Sequence, residues 1–267
     1  MPATATPGLD VTPTPESAAP PVVDLLGLAV HRVTNAEALA YALELARRPT
    51  STLVMTPNTD HVLRAHRDPA FRGLYEHADL VIADGQPVVW AARLLGRPLP
   101  ERVAGSDLMP ALCVAAARAG LTYFFVGGNP GDAQAAATAL AARAGTDGCV
   151  GIDCPPMGFE KDPAYVDALL ARIAAANPHI VCLGLGSPKQ ERLMVEWQPR
   201  IARGVILGVG ITFSFVAGTV RRAPRWLQRL GLEWLWRVFR EPRRLWRRYL
   251  DHLIAFPWLV LRHRLRG

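Results

Sequence analysis

Ile180-Val-Cys-Leu-Gly-Leu-Gly-Ser-Pro-Lys-Gln-Glu191 is the stretch on which the fold turns. Its first four residues are apolar without alternation, bounded by glycine and too few for a helix, which describes a strand covered on both faces. A short loop then runs straight into a polar helix start. The same unit recurs on either side: apolar runs at Val22–Leu28, Thr52–Met55, Leu80–Ala83, Thr122–Val126 and Val205–Val209 join Ile180–Leu185 as predicted strands. Helices are predicted between them over Ala36–Arg47, Thr59–His66, Pro87–Leu95, Leu108–Ala119, Asp132–Ala144, Pro163–Ala176 and Lys189–Arg200. This alternation predicts an α/β fold, a Rossmann-like parallel sheet with helices on both faces. The carboxyl ends of such strands line one edge, where ligands bind, so residues distant in sequence converge there.

Outward from this body the composition changes. The chain has 267 residues, 50% hydrophobic and 20% charged, enough for one large α/β domain with a small appendage. Residues 1–21 hold six prolines among Thr, Ala and Ser and are predicted to be a disordered leader, without the basic start and apolar stretch of a signal peptide. Residues 22–217 form the predicted catalytic body. From Gly218 to Gly267 there are thirteen Arg, no Lys and three acids, a surplus of +10; with a net charge of +7 overall, the rest of the chain carries −3. Five of the seven Trp lie in the same tail. A basic, Trp-rich helical appendage suits an anionic lipid surface or phosphates.

Two classes are excluded early. The longest apolar run, Leu253–Leu261, is far shorter than the roughly 20 residues that span a bilayer. The four cysteines, Cys113, Cys149, Cys154 and Cys182, show neither a C-x-x-C pair nor zinc-finger spacing to histidine, and are too few to staple so long a chain. This thiol usage predicts a cytoplasmic protein.

Several strand ends carry chemistry, each with an ordinary structural role beside it. Asp84, before Gly85, is placed to act as a general base or to cap the next helix. Thr56 and Asn58 can hydrogen-bond a sugar, and Asn58 can equally cap. Gly127-Gly-Asn-Pro-Gly131-Asp132 can hold a phosphate on backbone N–H groups or simply start a helix. Lys189 and Gln190 lie in a hydrophilic helix start. Asp-x-Asp and H-E-x-x-H pairs are missing from the sequence, so metal-held diphosphate has no support there. In the tail, Arg243, Arg244, Arg247 and Arg248 share one helical arc, opposite Trp246, Tyr249, Leu250, Leu253 and Ile254. That face can enter a membrane interface, with Trp258 further on, or pack on its own domain.

In chain order, Thr56-Pro-Asn58, Ala83-Asp84-Gly85, Arg102-Val-Ala-Gly-Ser-Asp107-Leu108, Gly184-Leu-Gly-Ser-Pro-Lys-Gln190-Glu191, Gly208-Val-Gly210, Arg222-Ala-Pro-Arg-Trp226, Gly231-Leu-Glu-Trp234, Glu241-Pro242 and Arg247-Arg248-Tyr249 resemble the WecG/TagA/CpsF glycosyltransferases, over about Val22 to Tyr249. The resemblance implies inverting, metal- and cofactor-independent transfer of N-acetylmannosamine, or a related sugar, from UDP. The implied acceptor is an undecaprenyl-diphosphate-linked N-acetylglucosamine in cell-surface polysaccharide or teichoic acid linkage-unit synthesis. It implies Asp84 as the base, Thr56 and Asn58 as sugar contacts, and Arg102 and Gln190 as substrate contacts. Arg237, Arg244 and Arg247 are implied to close over the diphosphate. Gln86 departs from the Gly or Met of many members, which leaves the donor sugar open.

The partners expected are therefore a UDP-sugar, a polyprenyl-diphosphate-linked acceptor and an anionic membrane surface met through Arg243, Trp246, Arg248 and Trp258. That places the protein peripherally on the inner face of the cell membrane, with a homo-oligomer left open. An α/β oxidoreductase would instead need a complete G-x-G-x-x-G fingerprint. A nucleic-acid-binding protein would explain the basic tail and leave the polar strand ends idle; a silent membrane scaffold is the third alternative.

Overall fold

The computed structural model describes residues 19–224, 227, 232–233, 235–236 and 242–265, the backbone alone over 242–252. Its centre is a six-stranded parallel sheet built from β3 (Ser51–Met55), β4 (Leu80–Val81), β5 (Tyr123–Gly127), β6 (Cys149–Asp153), β7 (Ile180–Gly184) and β8 (Gly204–Gly208). The spatial order is β4-β3-β8-β7-β5-β6. Ile180 stands opposite both Tyr123 and Val205, and Val54 opposite both Leu80 and Leu207.

Alternate side chains leave the sheet on opposite faces, so each strand feeds two cores. Leu53, Phe124, Val181 and Ile206 enter one, against α2 (Thr59–Arg67), α3 (Pro69–Gly73), α4 (Gln86–Leu94), α7 (Pro163–Ala176) and α8 (Lys189–Trp197). Val54, Phe125, Cys182 and Leu207 enter the other, against α1 (Asn35–Leu45), α5 (Gly105–Arg118), α6 (Asp132–Ala144) and Phe213 of α9 (Thr212–Ala217). The helices thus cover both faces, as the alternation predicted.

The first predicted strand, Val22–Leu28, is corrected. It is a hairpin, β1 (Val22–Leu25) antiparallel to β2 (Leu28–His31), in a separate two-stranded sheet. Leu26 (φ 56°) and Gly27 (φ 87°) make the tight turn in the left-handed region, the twist that hairpins favour. Strand β6 and helices α3 and α9 escaped the sequence reading altogether. β6 is an edge strand of half-buried residues whose Gly151 lies under Phe124, where a Cβ would meet the ring at 2.1 Å.

From β5 the chain moves outward to β6, whereas from β7 it moves the other way to β8. The crevice beyond the carboxyl ends of these neighbours is the place where connections diverge and leave room for a ligand. Helix α10 (Pro242–Arg264) starts at Pro242 and closes over this region, in contact with α2 and α4. Phe256, Leu259 and Val260, spaced by three and four along one face, are buried in the core shared with those helices. Each contributes roughly 1.5–3 kcal/mol of burial. Among the described residues no helix is long and apolar enough to cross a membrane.

Candidate active site

A cavity of about 1160 Å³ opens at the carboxyl edge of the sheet. Thr56 and Asn58 after β3, Asp84 and Gly85 after β4, Gly128 and Asn129 after β5, Gly184 to Ser187 from the last residue of β7 and Gly208 to Gly210 from the last residue of β8 all line it. Arg102 and Gln190 line it too. Of the residues named from sequence, Thr56, Asn58, Asp84, Arg102 and Gln190 therefore converge. Arg237 lies outside the described residues, as do the side chains of Arg243, Arg244, Trp246, Arg247 and Arg248. Trp258 is 57% exposed on α10, with the Arg262 guanidinium 5.1 Å from its ring centroid, and is not part of the cavity wall.

Asp84 does not cap the next helix. Backbone pairing extends past β4, with the Asp84 N–H donating to Pro57 O at 2.9 Å, and the cap position of α4 is Gly85 at φ 153°, with no side-chain cap bond. The carboxylate instead accepts the Gly105 N–H at the start of α5 (3.3 Å). Burial pushes its pKa up to about 6; Arg102 opposes this, Glu233 adds to it, and the Gly105 bond opposes it again. A carboxylate with that pKa is mostly ionised at neutral pH yet more basic than an ordinary aspartate.

Asn58 caps α2 and also lines the cavity. Its Oδ1 caps α2, accepting from Asp60 N (3.0 Å) and His61 N (3.4 Å). Its Nδ2 makes no hydrogen bond among the described residues. Gln190 is buried, with Oε1 accepting the Gly210 N–H (3.0 Å) and Nε2 donating to Glu191 Oε1 (3.2 Å). It lies over β8 because residue 208 is glycine: a Cβ there would meet Gln190 Nε2 at 2.3 Å. Gly105 similarly lets α5 abut Thr56, whose atoms are 3.2 Å from the position of a Cβ.

Arg102 is not a lone cation. It pairs with Asp107 (3.3 Å) and Glu233 (3.4 Å), while Arg222 pairs with Glu233 (3.0 Å) and forks onto Asp107. This ring of two guanidiniums and two carboxylates joins the loop before α5 to the segment after α9. Burial alone would lower the Arg222 pKa; its bonds to Asp107 and Glu233 outweigh that and hold it well above the ordinary value. Glu233 entered the sequence reading only as part of a motif, because nothing local tells which cation an acid in an arginine-rich tail will meet.

The remaining motifs are decided by their partners. The buried Asp132 carboxylate accepts from Asn129 Nδ2 (2.9 Å), Thr219 Oγ1 (2.7 Å) and the Ser214 hydroxyl. A negative charge thus already occupies the positive end of α6, which argues against phosphate at that terminus. Lys189 is paired with Glu160 (3.3 Å) and lies 5.2 Å from the Phe159 ring centroid, away from the cavity.

Residues 23–267 match the model of the glycosyl transferase WecG/TagA/CpsF family. The chain belongs to that family. It is a glycosyltransferase, and the match takes in both the sheet and α10. Two residues of this glycosyltransferase's site had no assigned role in the sequence. His61 lines the cavity, and Glu191, behind it, accepts from His61 Nε2 at 3.2 Å. Burial alone would raise the Glu191 pKa; the hydrogen bond and charge of His61 outweigh it and bring it below the ordinary value. The only local signal was the Asn58-x-x-His61 spacing of a helix cap box, realised here by His61 Nδ1 and the Asn58 N–H at 3.3 Å.

Proposed function

We propose that the protein is an inverting, metal-independent transferase that moves N-acetylmannosamine or a related sugar from UDP to an undecaprenyl-diphosphate-linked N-acetylglucosamine. The products would serve cell-surface polysaccharide or teichoic acid linkage-unit synthesis. The observation that carries this reading is the two-ended cavity. Its floor holds Asp84, Asn58, Arg102 and Gln190, and its outer walls are apolar: Trp90 and Leu94 on α4, and Leu253, Pro257 and Leu261 on α10. Trp90, Leu94, Leu253 and Leu261 are all exposed large hydrophobics. A polar floor with an apolar mouth suits a sugar acceptor that carries a lipid.

In the single displacement proposed, the acceptor hydroxyl oxygen attacks the anomeric carbon as Asp84 takes its proton. The bond from that carbon to the diphosphate oxygen breaks, its electron pair leaves with UDP, and the configuration inverts. Asp84 then returns the proton to solvent. Guanidiniums from the tail, Arg237, Arg244 and Arg247, would neutralise the departing diphosphate, since each offers permanently charged, paired donors. The basic surplus after Gly218, the exposed Trp258 beside Arg262, and Arg243, Trp246 and Arg248 would hold the protein on an anionic leaflet without a spanning helix.

The test is transfer from a panel of UDP-sugars to a short-chain diphosphate-linked acceptor by wild type and Asp84→Asn. Turnover should fall at least about 100-fold in the variant with donor affinity little changed. Near-normal turnover would place the base elsewhere.

A further inference from the structure

Behind the cavity floor a buried hydrogen-bond path crosses three strand ends. Asn58 Oδ1 lies 2.8 Å from His61 Nδ1; His61 Nε2 lies 3.2 Å from Glu191 Oε1. The same Glu191 oxygen accepts from Gln190 Nε2, and Gln190 Oε1 accepts the Gly210 N–H. The Glu191 side chain is 4% exposed and that of His61 11%. Asn58, His61, Gln190 and Gly210 line the cavity, whereas Glu191 does not.

The polarity of the part of this path that runs from His61 through Glu191 to Gln190 is fixed from one point. A carboxylate oxygen can only accept, so the imidazole nitrogen facing Glu191 carries a hydrogen, and Gln190 must turn its NH₂ toward Glu191. The Gly210 N–H can only donate, so it demands the amide oxygen at the other end. Gln190 is thereby held in one of its two amide orientations and keeps a second Nε2 hydrogen. Asn58, with its Oδ1 committed to the backbone N–H groups of Asp60 and His61, keeps Nδ2. The side of the cavity shared by these residues therefore presents amide donors, which match acceptor oxygens on a sugar.

We propose that Glu191, acting through His61 and Gln190, is a positioning residue that orients these donors to read an oxygen of the donor sugar, the acetamido carbonyl of a 2-acetamido hexose. The proposal rests on the glycosyltransferase reading above. A feature of the pair makes it sharply testable: a single oxygen of the Glu191 carboxylate, Oε1, meets both His61 and Gln190. Replacing Glu191 by glutamine puts an amide oxygen where Oε1 accepts, so acceptor function toward His61 and Gln190 survives without the charge. Leucine removes the acceptor at similar size.

Calorimetric titration of UDP and of UDP-N-acetylmannosamine into wild type, Glu191→Gln, Glu191→Leu and His61→Phe separates what the sugar adds from what the nucleotide gives. Glu191→Leu and His61→Phe should weaken UDP-N-acetylmannosamine binding at least about tenfold while UDP binding stays within about twofold. Glu191→Gln should lie within about threefold of wild type for both. In transfer assays Glu191→Leu and His61→Phe should raise the donor KM more than they lower kcat. Equal losses for UDP and UDP-sugar, no loss in Glu191→Leu, or a Glu191→Gln variant as weak as Glu191→Leu would each overturn the proposal. If Glu191→Leu does not fold, the His61→Phe ratio decides by the same criterion. A wild type that neither binds nor transfers any UDP-sugar would instead sink the functional reading, and this inference with it.

Discussion

Asp84→Asn should make the protein more stable at neutral pH while abolishing its chemistry. The folded state raises the Asp84 pKa from 3.8 to about 6. Below about pH 4 the carboxyl is protonated in folded and unfolded chains alike, and the residue adds no pH dependence. Between roughly pH 4 and 6 the folded state holds more protons than the unfolded one, so stability falls as pH rises. Above pH 6 both states are ionised and the full penalty is present. A shift of about two pKa units corresponds to roughly 3 kcal/mol; because the carboxylate borders an open cavity, about 1–3 kcal/mol is the working range.

Asparagine removes the charge and keeps an amide oxygen to accept the Gly105 N–H, so the penalty vanishes without a lost hydrogen bond. For a chain of this size that corresponds to a melting temperature raised by roughly 2–8 °C at pH 7–8. The two proteins should converge at pH 4. Denaturant and thermal unfolding at intervals from pH 4 to 8 would measure the difference. A gap independent of pH, or a wild type more stable than the variant at pH 8, would refute a raised Asp84 pKa. The wild-type activity profile should carry the same signature, with kcat/KM falling about tenfold per pH unit below about 6.

Other outcomes follow from individual contacts. Gly208→Ala places a methyl 2.3 Å from Gln190 Nε2 and 2.9 Å from its Cδ, so the buried amide must give up its bonds to Glu191 or Gly210: melting should fall and donor KM should rise at least about tenfold, and an unchanged KM would mean that Gln190 does not serve the donor. Transfer should survive chelation of divalent cations, and a strict need for added Mg²⁺ or Mn²⁺ would reopen Asp107 or Asp153 as ligands. Arg243→Ala with Arg248→Ala should mainly weaken sedimentation with anionic vesicles, more visibly at low salt, whereas Arg244→Ala with Arg247→Ala should also lower turnover on a soluble acceptor. Equal behaviour of the two pairs in both assays would dismiss the division of labour.

What the sequence determined by itself is what short-range pattern can encode. Runs such as Ile180–Leu183, with small or polar residues behind them, specify strands, their burial on both faces and the edge at which they stop, so Thr56, Asn58, Asp84 and Gln190 could be placed together before any coordinates. The concentration of arginine and tryptophan after Gly218 is equally a property of the chain. Pairing is not. Val22–Leu28 has the composition of a parallel strand, and only the left-handed turn at Leu26 and Gly27 makes it a hairpin. Whether Asp84 caps α4 or faces a cavity depends on Gly105, twenty-one residues on. His61 meets Glu191 across 130 positions, and Arg102 meets Glu233 across 131. Hydrogen bonds and ion pairs act over about 3 Å of space and are indifferent to separation along the chain, so the partners that set a pKa or orient an amide exist only once the sheet has brought its strand ends to one edge.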